Sequence, residues 1–155
     1  MKQLIGLICC VLLVFGLVGW VGYDIWQTEV VPRQEFARYF NMSRPRDSAA
    51  KEAAIPKAVS RLFELHGQLP EKEFKDLNDQ ISEAESRVGE SQEARDRYFR
   101  LLGQRDQLFK QSRPQYSQFA AACTSAEVTL GITDIYTPPG KFFVEAGCPT
   151  YSDFF

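Results

Sequence analysis

The chain has a single histidine, His66, and only four cysteines among its 155 residues, and this scarcity excludes several kinds of site. Neither C-x-x-C nor H-E-x-x-H occurs, so the usual ligand spacings for zinc are absent. One histidine and two cysteines outside the apolar segment cannot by themselves hold a haem or an iron–sulfur cluster. We therefore predict no metal, no cofactor and no cofactor-binding residue.

Catalytic motifs are missing as well. The sequence contains no Gly-rich phosphate loop and no G-x-S-x-G, and the S-x-x-K match from Ser48 to Lys51 is not followed by K-T-G. Paired acids at 71/73 and 83/85 fall on a predicted solvated helix, without a partner that would tune their pKa values. We predict no catalytic residue, no enzymatic activity and no small-molecule substrate.

Neither sign of charge dominates, since the formal net charge is −2, and nothing global indicates a nucleic-acid partner. The charges alternate in blocks. Residues 30–62 hold seven Lys/Arg and three acids, residues 63–96 four and ten, and residues 97–113 five and one. Such blocks suit antiparallel helices or a partner of matching pattern, although solvated helix faces are the ordinary alternative.

One long apolar run is present. Twenty residues from Leu4 to Tyr23 carry no charge, enough for a helix of about 30 Å, the thickness of a bilayer core. Trp20, Tyr23 and Trp26 follow as interface anchors. The run exceeds a signal-peptide core of about 7–15 residues and lacks an Ala-x-Ala cleavage pattern. We predict a short tail over 1–3 and an uncleaved transmembrane anchor over 4–26.

Three glycines of this run, Gly16, Gly19 and Gly22, recur every three residues and form a smooth stripe. Small residues let a neighbouring transmembrane helix approach closely. The stripe therefore predicts helix packing in the membrane, although glycine is common in such helices anyway.

Two signals disagree on orientation. The C-terminal flank of the run carries more positive charge than the N-terminus, at Arg33, Arg38, Arg44 and Arg46. This difference favours a cytoplasmic C-terminal domain. A very short basic tail usually stays inside, however, and the nearest flanking charges are Asp24 and Glu29. We favour a cytoplasmic N-terminus with a periplasmic or otherwise extracytoplasmic domain.

Cysteine placement adds weight to that choice. Cys123 and Cys148 lie 25 residues apart in the C-terminal third. A disulfide between them would form in an oxidising compartment and would stabilise the fold by roughly 3 kcal/mol. We predict this pairing; two unrelated buried thiols are the alternative.

The extramembrane part is predicted to be mainly α-helical. Residues 27–69 read as membrane-proximal helices and a loop, with helices over 33–40 and about 48–65. Over 70–112 the sequence predicts one long amphipathic helix, because apolar positions recur in a heptad rhythm from Phe74 to Phe109. Polar residues occupy the middle of that seam, so bundle packing is favoured over a two-stranded coiled coil.

Residues 113–155 are predicted to form a helix from Pro114 to about Glu127 and then a C-terminal hairpin. Val128 to Thr137 is β-branched, Pro138-Pro139-Gly140 predicts a turn, and 141–145 would return as a strand. An irregular tail is the alternative. Two terminal aromatics, Phe154 and Phe155, are predicted to dock in a partner's pocket or to fold back.

Taken together, these features predict a non-catalytic accessory or scaffold subunit of a larger membrane protein complex. The lipid bilayer and other subunits of that complex would be its partners. The alternatives are a membrane-tethered extracytoplasmic sensor or binding module, and an envelope-bridging protein. One short tail, one span and an external helical region resemble the plan of phage inner-membrane spanins, a resemblance of architecture that no motif carries.

Overall fold

The computed structural model describes the backbone of residues 2–148, and it describes the side chains of Leu12 and of residues 14–148. Six α-helices and one π-helical segment make up the described fold, and no strand occurs in it. The helices are α1 (Lys2–Ile25), α2 (Val31–Phe40), α3 (Ser48–His66), α4 (Glu71–Glu85), α5 (Gln92–Leu130) and α6 (Gly140–Glu145). The prediction of a mainly α-helical chain is confirmed.

A π-helical segment, Trp26–Val30, joins α1 to α2 without leaving helical backbone angles. Its cause is Pro32, at the start of α2, which has no N–H and whose ring would clash with the carbonyl four residues earlier. The wider turn relieves that clash, and the Val31 N–H donates to the carbonyl of Trp26, five residues back. Residues 2–40 are thus continuously helical.

Within the part of the chain described in this way, no helix is both long enough and apolar enough to cross a membrane. The transmembrane anchor over 4–26 remains a prediction from the sequence.

Helix α3 begins where the sequence predicts. Asp47 is in extended conformation and its Oδ1 accepts a hydrogen bond from the Ala50 N–H at 2.6 Å, the usual N-cap arrangement. The helix passes through Pro56 and buries Ala54, Ala58, Leu62 and Leu65 along one face. That face packs on the core.

The single helix predicted over 70–112 is wrong, because the chain folds back within it. Helix α4 ends at Glu85, a turn follows, and α5 begins at Gln92 with the Ser91 hydroxyl accepting from the Ala94 N–H. Ser91 is one of the polar residues in the middle of the predicted heptad seam, yet serine is among the best N-cap residues, and Gly89 just before it weakens a helix. The two helices pack as an antiparallel arm.

The helix start predicted at Pro114 is also wrong, since α5 continues through that proline to Leu130. Pro114 lies on the exposed side of the helix, where water can serve the carbonyl that it leaves free. The buried residues that follow, among them Phe119 and Ala122, hold the helix in place by tertiary packing.

The predicted β-hairpin does not form within the described residues, because Val128 and Thr129 belong to the last turn of α5. Gly131, at a φ of 70°, ends that helix, and the N–H groups of Gly131 and Ile132 both donate to the Glu127 carbonyl. The returning segment is α6, with Phe143 1% exposed. Burial overrides the β-propensity of these residues. Phe154 and Phe155 lie outside the described residues.

The main core lies where α2, α3, the second half of α5 and α6 meet. It contains Phe36, Phe40, Ala54, Ala58, Leu62, Leu65, Phe119, Ala122, Cys123, Ala126, Leu130, Phe143, Ala146 and Cys148. A second, smaller cluster of Ile81, Ala84 and Leu101 holds the α4–α5 arm together. The arm therefore rests on far fewer buried apolar side chains than the core does.

Gly147 provides a test of the C-terminal packing. Its φ of 86° is in the left-handed region, and a Cβ built on it would overlap the His66 ring. We expect Gly147→Ala to lower the free energy of unfolding by about 1–3 kcal/mol. The matched control is Gly103→Ala, in open space within α5, which should raise it by about 0.5–1 kcal/mol. Denaturant unfolding of both variants, followed by circular dichroism, checks this; equal effects would contradict the packing described.

Candidate interaction surfaces

The cysteine pair closes the C-terminal segment onto α5. Cys123 and Cys148 are joined as a disulfide, with Cα atoms 5.6 Å apart, and both are buried. This Cα separation is the usual one for a disulfide. The structure thus confirms that the two predicted cysteines can pair, and the link ties α6 to the core.

His66 lies at the junction of three helices and the C-terminal segment. Its Nε2 is 3.0 Å from the Glu71 carboxylate at the start of α4, and its ring packs on Phe119 of α5 at a centroid distance of 5.3 Å. Gly147 lies against the same ring. In the sequence His66 was considered only as a metal ligand; in the structure it packs between α4, α5 and the C-terminal segment.

The exposed surface of α1 is the most unusual feature of the fold. Over residues 12–26 ten large apolar side chains, leaving out the undescribed Leu13, are each at least 48% exposed. The predicted interface anchors Trp20, Tyr23 and Trp26 are among them, at 69%, 62% and 50%. Around Gly16, Gly19 and Gly22 a Cβ would meet no described atom within 4 Å. Within the described part of the chain, nothing covers this surface.

The α4–α5 arm carries a second apolar surface. Phe99 and Phe109 of α5 are 60% and 55% exposed, and they lie on either side of the buried Leu101 along the same helix. Phe74 packs edge-on against Tyr116, with ring centroids 6.2 Å apart, where the arm meets the core. Large aromatic side chains left in water at these positions are available to a partner.

Shifted pKa values are scattered over the surface and do not converge on one site. Burial raises the pKa of Tyr116, with the nearby acids Glu71 and Glu73 adding to the effect. The Thr137 hydroxyl and the Tyr136 N–H stabilise the Asp134 carboxylate and lower its pKa. Over the described residues no three His, Cys, Asp or Glu side chains are grouped to hold a metal. That the chain has no catalytic residue, metal or cofactor remains a prediction.

Burial also raises the pKa of the half-buried Glu127 above its ordinary value of 4.5. A carboxyl with a raised folded-state pKa binds its proton more tightly when folded, so its ionisation destabilises the fold as pH rises through that window. At pH 7 we expect Glu127→Gln to raise the free energy of unfolding by less than about 1 kcal/mol, and therefore to raise the melting temperature. Near pH 4 we expect it to have no effect. Glu52→Gln, at an exposed carboxylate of α3, is the control for the loss of one negative charge; a pH-independent difference for Glu127→Gln would contradict this account.

Comparison of the chain with protein-family models, curated proteins and solved structures finds no match. Function must therefore be argued from the surfaces alone. The sequence located the apolar helix and the disulfide. It did not locate the arm, or the groove in which Arg33, Arg44 and Arg46 converge with Lys51. The only sequence signal for that groove was the excess of positive charge over 30–62.

Proposed function

We propose that this chain is a non-catalytic accessory or scaffold subunit of a larger membrane protein complex. Residues 4–26 anchor it, and the α4–α5 arm contacts other subunits. The exposed apolar surface of α1 is the observation that carries the proposal. The N-terminus is cytoplasmic and the helical domain is periplasmic or otherwise extracytoplasmic.

The anchor rests on the cost of leaving α1 in water. Ten exposed large apolar side chains over 12–26 form a surface far larger than soluble monomers leave uncovered. The helical backbone extends from Lys2, and twenty residues from Leu4 to Tyr23 carry no charge. Such a segment favours a bilayer core, with Trp20 and Trp26 at its interface.

The scaffold role rests on the arm. Only a small buried cluster holds its two helices together, and the arm exposes Phe99 and Phe109. Exposed aromatic residues of this kind are enriched at protein contacts because they bury much area with few rotatable bonds. The C-terminal Phe154 and Phe155, which lie outside the described residues, would add a docking peptide.

The alternatives have less support. A membrane-tethered sensor needs an element that carries a signal across the bilayer, and no observation on the described residues favours one. An envelope-bridging protein of the spanin kind needs a long homodimeric coil. The heptad residues Ile81 and Ala84 are buried against Leu101 within one chain, which removes them from such a coil.

Gly19→Ile tests helix packing in the membrane. We expect at least a tenfold loss of co-purifying partners in mild detergent, because the added side chain keeps a neighbouring helix about 1–2 Å further away. Val18→Ile, which enlarges an already branched exposed residue, is the control and should retain the partners. Equal recovery with both variants would show that the glycine stripe makes no contact.

Thiol labelling tests the orientation. With a membrane-impermeant maleimide added from each side, Cys123 and Cys148 should label only from outside and only after reduction. Efficient labelling from the cytoplasmic side without reductant would contradict both the extracytoplasmic placement and the disulfide in the native protein.

A further inference from the structure

A basic groove lies beside the start of α2. The groove has a volume of about 830 Å³ and opens between α2, the loop 41–47, the first turn of α3 and the last turn of α5. Arg33, Arg44, Arg46 and Lys51 line it together with Ser43 and Thr129. No acidic side chain lines it. Four cations from three parts of the chain thus face one space.

Acidic neighbours of the groove leave most of this charge uncompensated. Glu29 pairs with Arg33 at 3.2 Å, and Asp47 is engaged as the N-cap of α3. Within residues 14–148, Arg44, Arg46 and Lys51 form no ion pair within 4.0 Å. Clustered like charges repel one another, and a bound anion would relieve that repulsion.

Thr129 supplies a second and independent observation. It is 4% exposed, and its Oγ1 is buried without a hydrogen-bond partner in the described structure. Other hydroxyls of α5 donate to the carbonyl four residues earlier, as Ser125 does to Ala121 at 2.6 Å. A buried hydroxyl without a partner costs about 1–3 kcal/mol, and Thr129 is one of the residues that line the groove.

Helix ends at the groove act in opposite directions. Helix α3 begins at Ser48, next to Arg46, and its positive end favours an anion. Helix α5 ends at Leu130, and its negative end disfavours one. The Lys51 ammonium lies 3.8 Å from where a Cβ on Gly131 would be, beside that negative end, and so offsets it.

We propose that this groove binds a phosphate group. Guanidinium groups match phosphate oxygens in bidentate pairs, and three arginines can contact one tetrahedral anion from different sides. Arg33 is seven residues beyond Trp26, about 10 Å along the helix. If α1 is a membrane anchor, the groove therefore lies at the level of lipid headgroups, within reach of phospholipid phosphate groups. That lipid source rests on the proposed function, whereas a soluble phosphate source does not.

The test compares the full-length protein with two charge-matched variants in detergent. Arg44→Gln with Arg46→Gln removes two groove cations that form no ion pair, and Arg95→Gln with Arg113→Gln removes two exposed cations outside the groove. In one arm, inorganic phosphate is titrated at constant ionic strength. In the other, native mass spectrometry counts anionic phospholipids retained after solubilisation from vesicles of phosphatidylcholine and phosphatidylglycerol.

A lipid source predicts that wild type and the control retain phosphatidylglycerol, and that the groove variant loses it at least fivefold. A soluble source predicts saturable phosphate binding that weakens at least tenfold in the groove variant and less than twofold in the control. Identical behaviour of all three proteins in both arms would overturn the proposal. If the chain binds phosphate but does not fractionate with membranes, the proposed membrane anchor is contradicted and the proposed phosphate site is not.

Thr129→Val tests whether the Thr129 hydroxyl contributes to phosphate binding. The substitution keeps the shape and removes the unpartnered hydroxyl, so the protein stays folded. We expect phosphate or phospholipid binding to weaken about threefold to tenfold. Unchanged binding together with a higher melting temperature would show that the hydroxyl takes no part, and would overturn the assignment of Thr129 to the site.

Discussion

Phe36→Ala is expected to lower the free energy of unfolding by about 3–5 kcal/mol. Phe36 is 0% exposed and is among the largest fully buried side chains. Its ring packs against that of Phe40 at a centroid distance of 4.8 Å, inside the core where α2, α3 and α5 meet. Truncation would leave a cavity where α2, which follows the segment leading from α1, packs on the domain.

Phe63→Ala is the matched control, because Phe63 lies on α3 and is 49% exposed. We expect it to cost less than about 1 kcal/mol. Urea unfolding of the full-length protein in mild detergent, followed by far-ultraviolet circular dichroism, compares the two. Equal losses would mean that α2 does not dock on the core as described.

Removal of the Cys123–Cys148 link is expected to cost about 3 kcal/mol, on the model in which a cross-link restricts the unfolded chain. The closed loop spans 25 residues and contains α6, whose hold on the core depends on Phe143 and Ala146. Reduction should therefore release residues 131–148 before the rest of the fold. Hydrogen exchange measures this as a selective gain over that segment.

The double variant Cys123→Ser with Cys148→Ser serves as the control for reduction. It should match the reduced wild type in stability, apart from the cost of the buried hydroxyls, and reductant should not change it further. If reductant left the unfolding of wild type unchanged, the two cysteines would not be linked in the purified protein.

The sequence predicted the elements whose signals are local. The uncharged run and the start of a helix near residue 48 depend on neighbouring residues, and the pairing of the two cysteines follows from simple chemistry. The helical character of the chain and the pairing of Cys123 with Cys148 followed from them.

The errors arose where one local signal competed with another. Five repeats of heptad rhythm outweighed Gly89 and Ser91 in the sequence, yet the turn there lets Ile81 and Ala84 bury against Leu101. Pro114 was read as a boundary, although burial of Ser112 before it and Phe119 after it holds the helix together in spite of the cost of the proline. Val128 and Thr129 are helical because they continue the last turns of α5, where Ala126, Thr129 and Leu130 are buried.

The basic groove could not be predicted, because its residues converge only through tertiary packing. Arg33 comes from α2, Lys51 from α3 and Thr129 from α5, and nothing in their spacing indicates a common site. The sequence showed the positive block of residues 30–62 and nothing of its geometry.

Composition of the complex purified from native membranes in mild detergent tests the central claim most directly. The account predicts that the full-length chain co-purifies with at least one other membrane protein in fixed stoichiometry. Phe99→Ser, on the exposed arm, should release that protein, whereas Phe63→Ser, on a surface given no partner, should retain it. Recovery of wild type as a lone monomer, with all of the chain in the detergent-soluble membrane fraction, would contradict the subunit role.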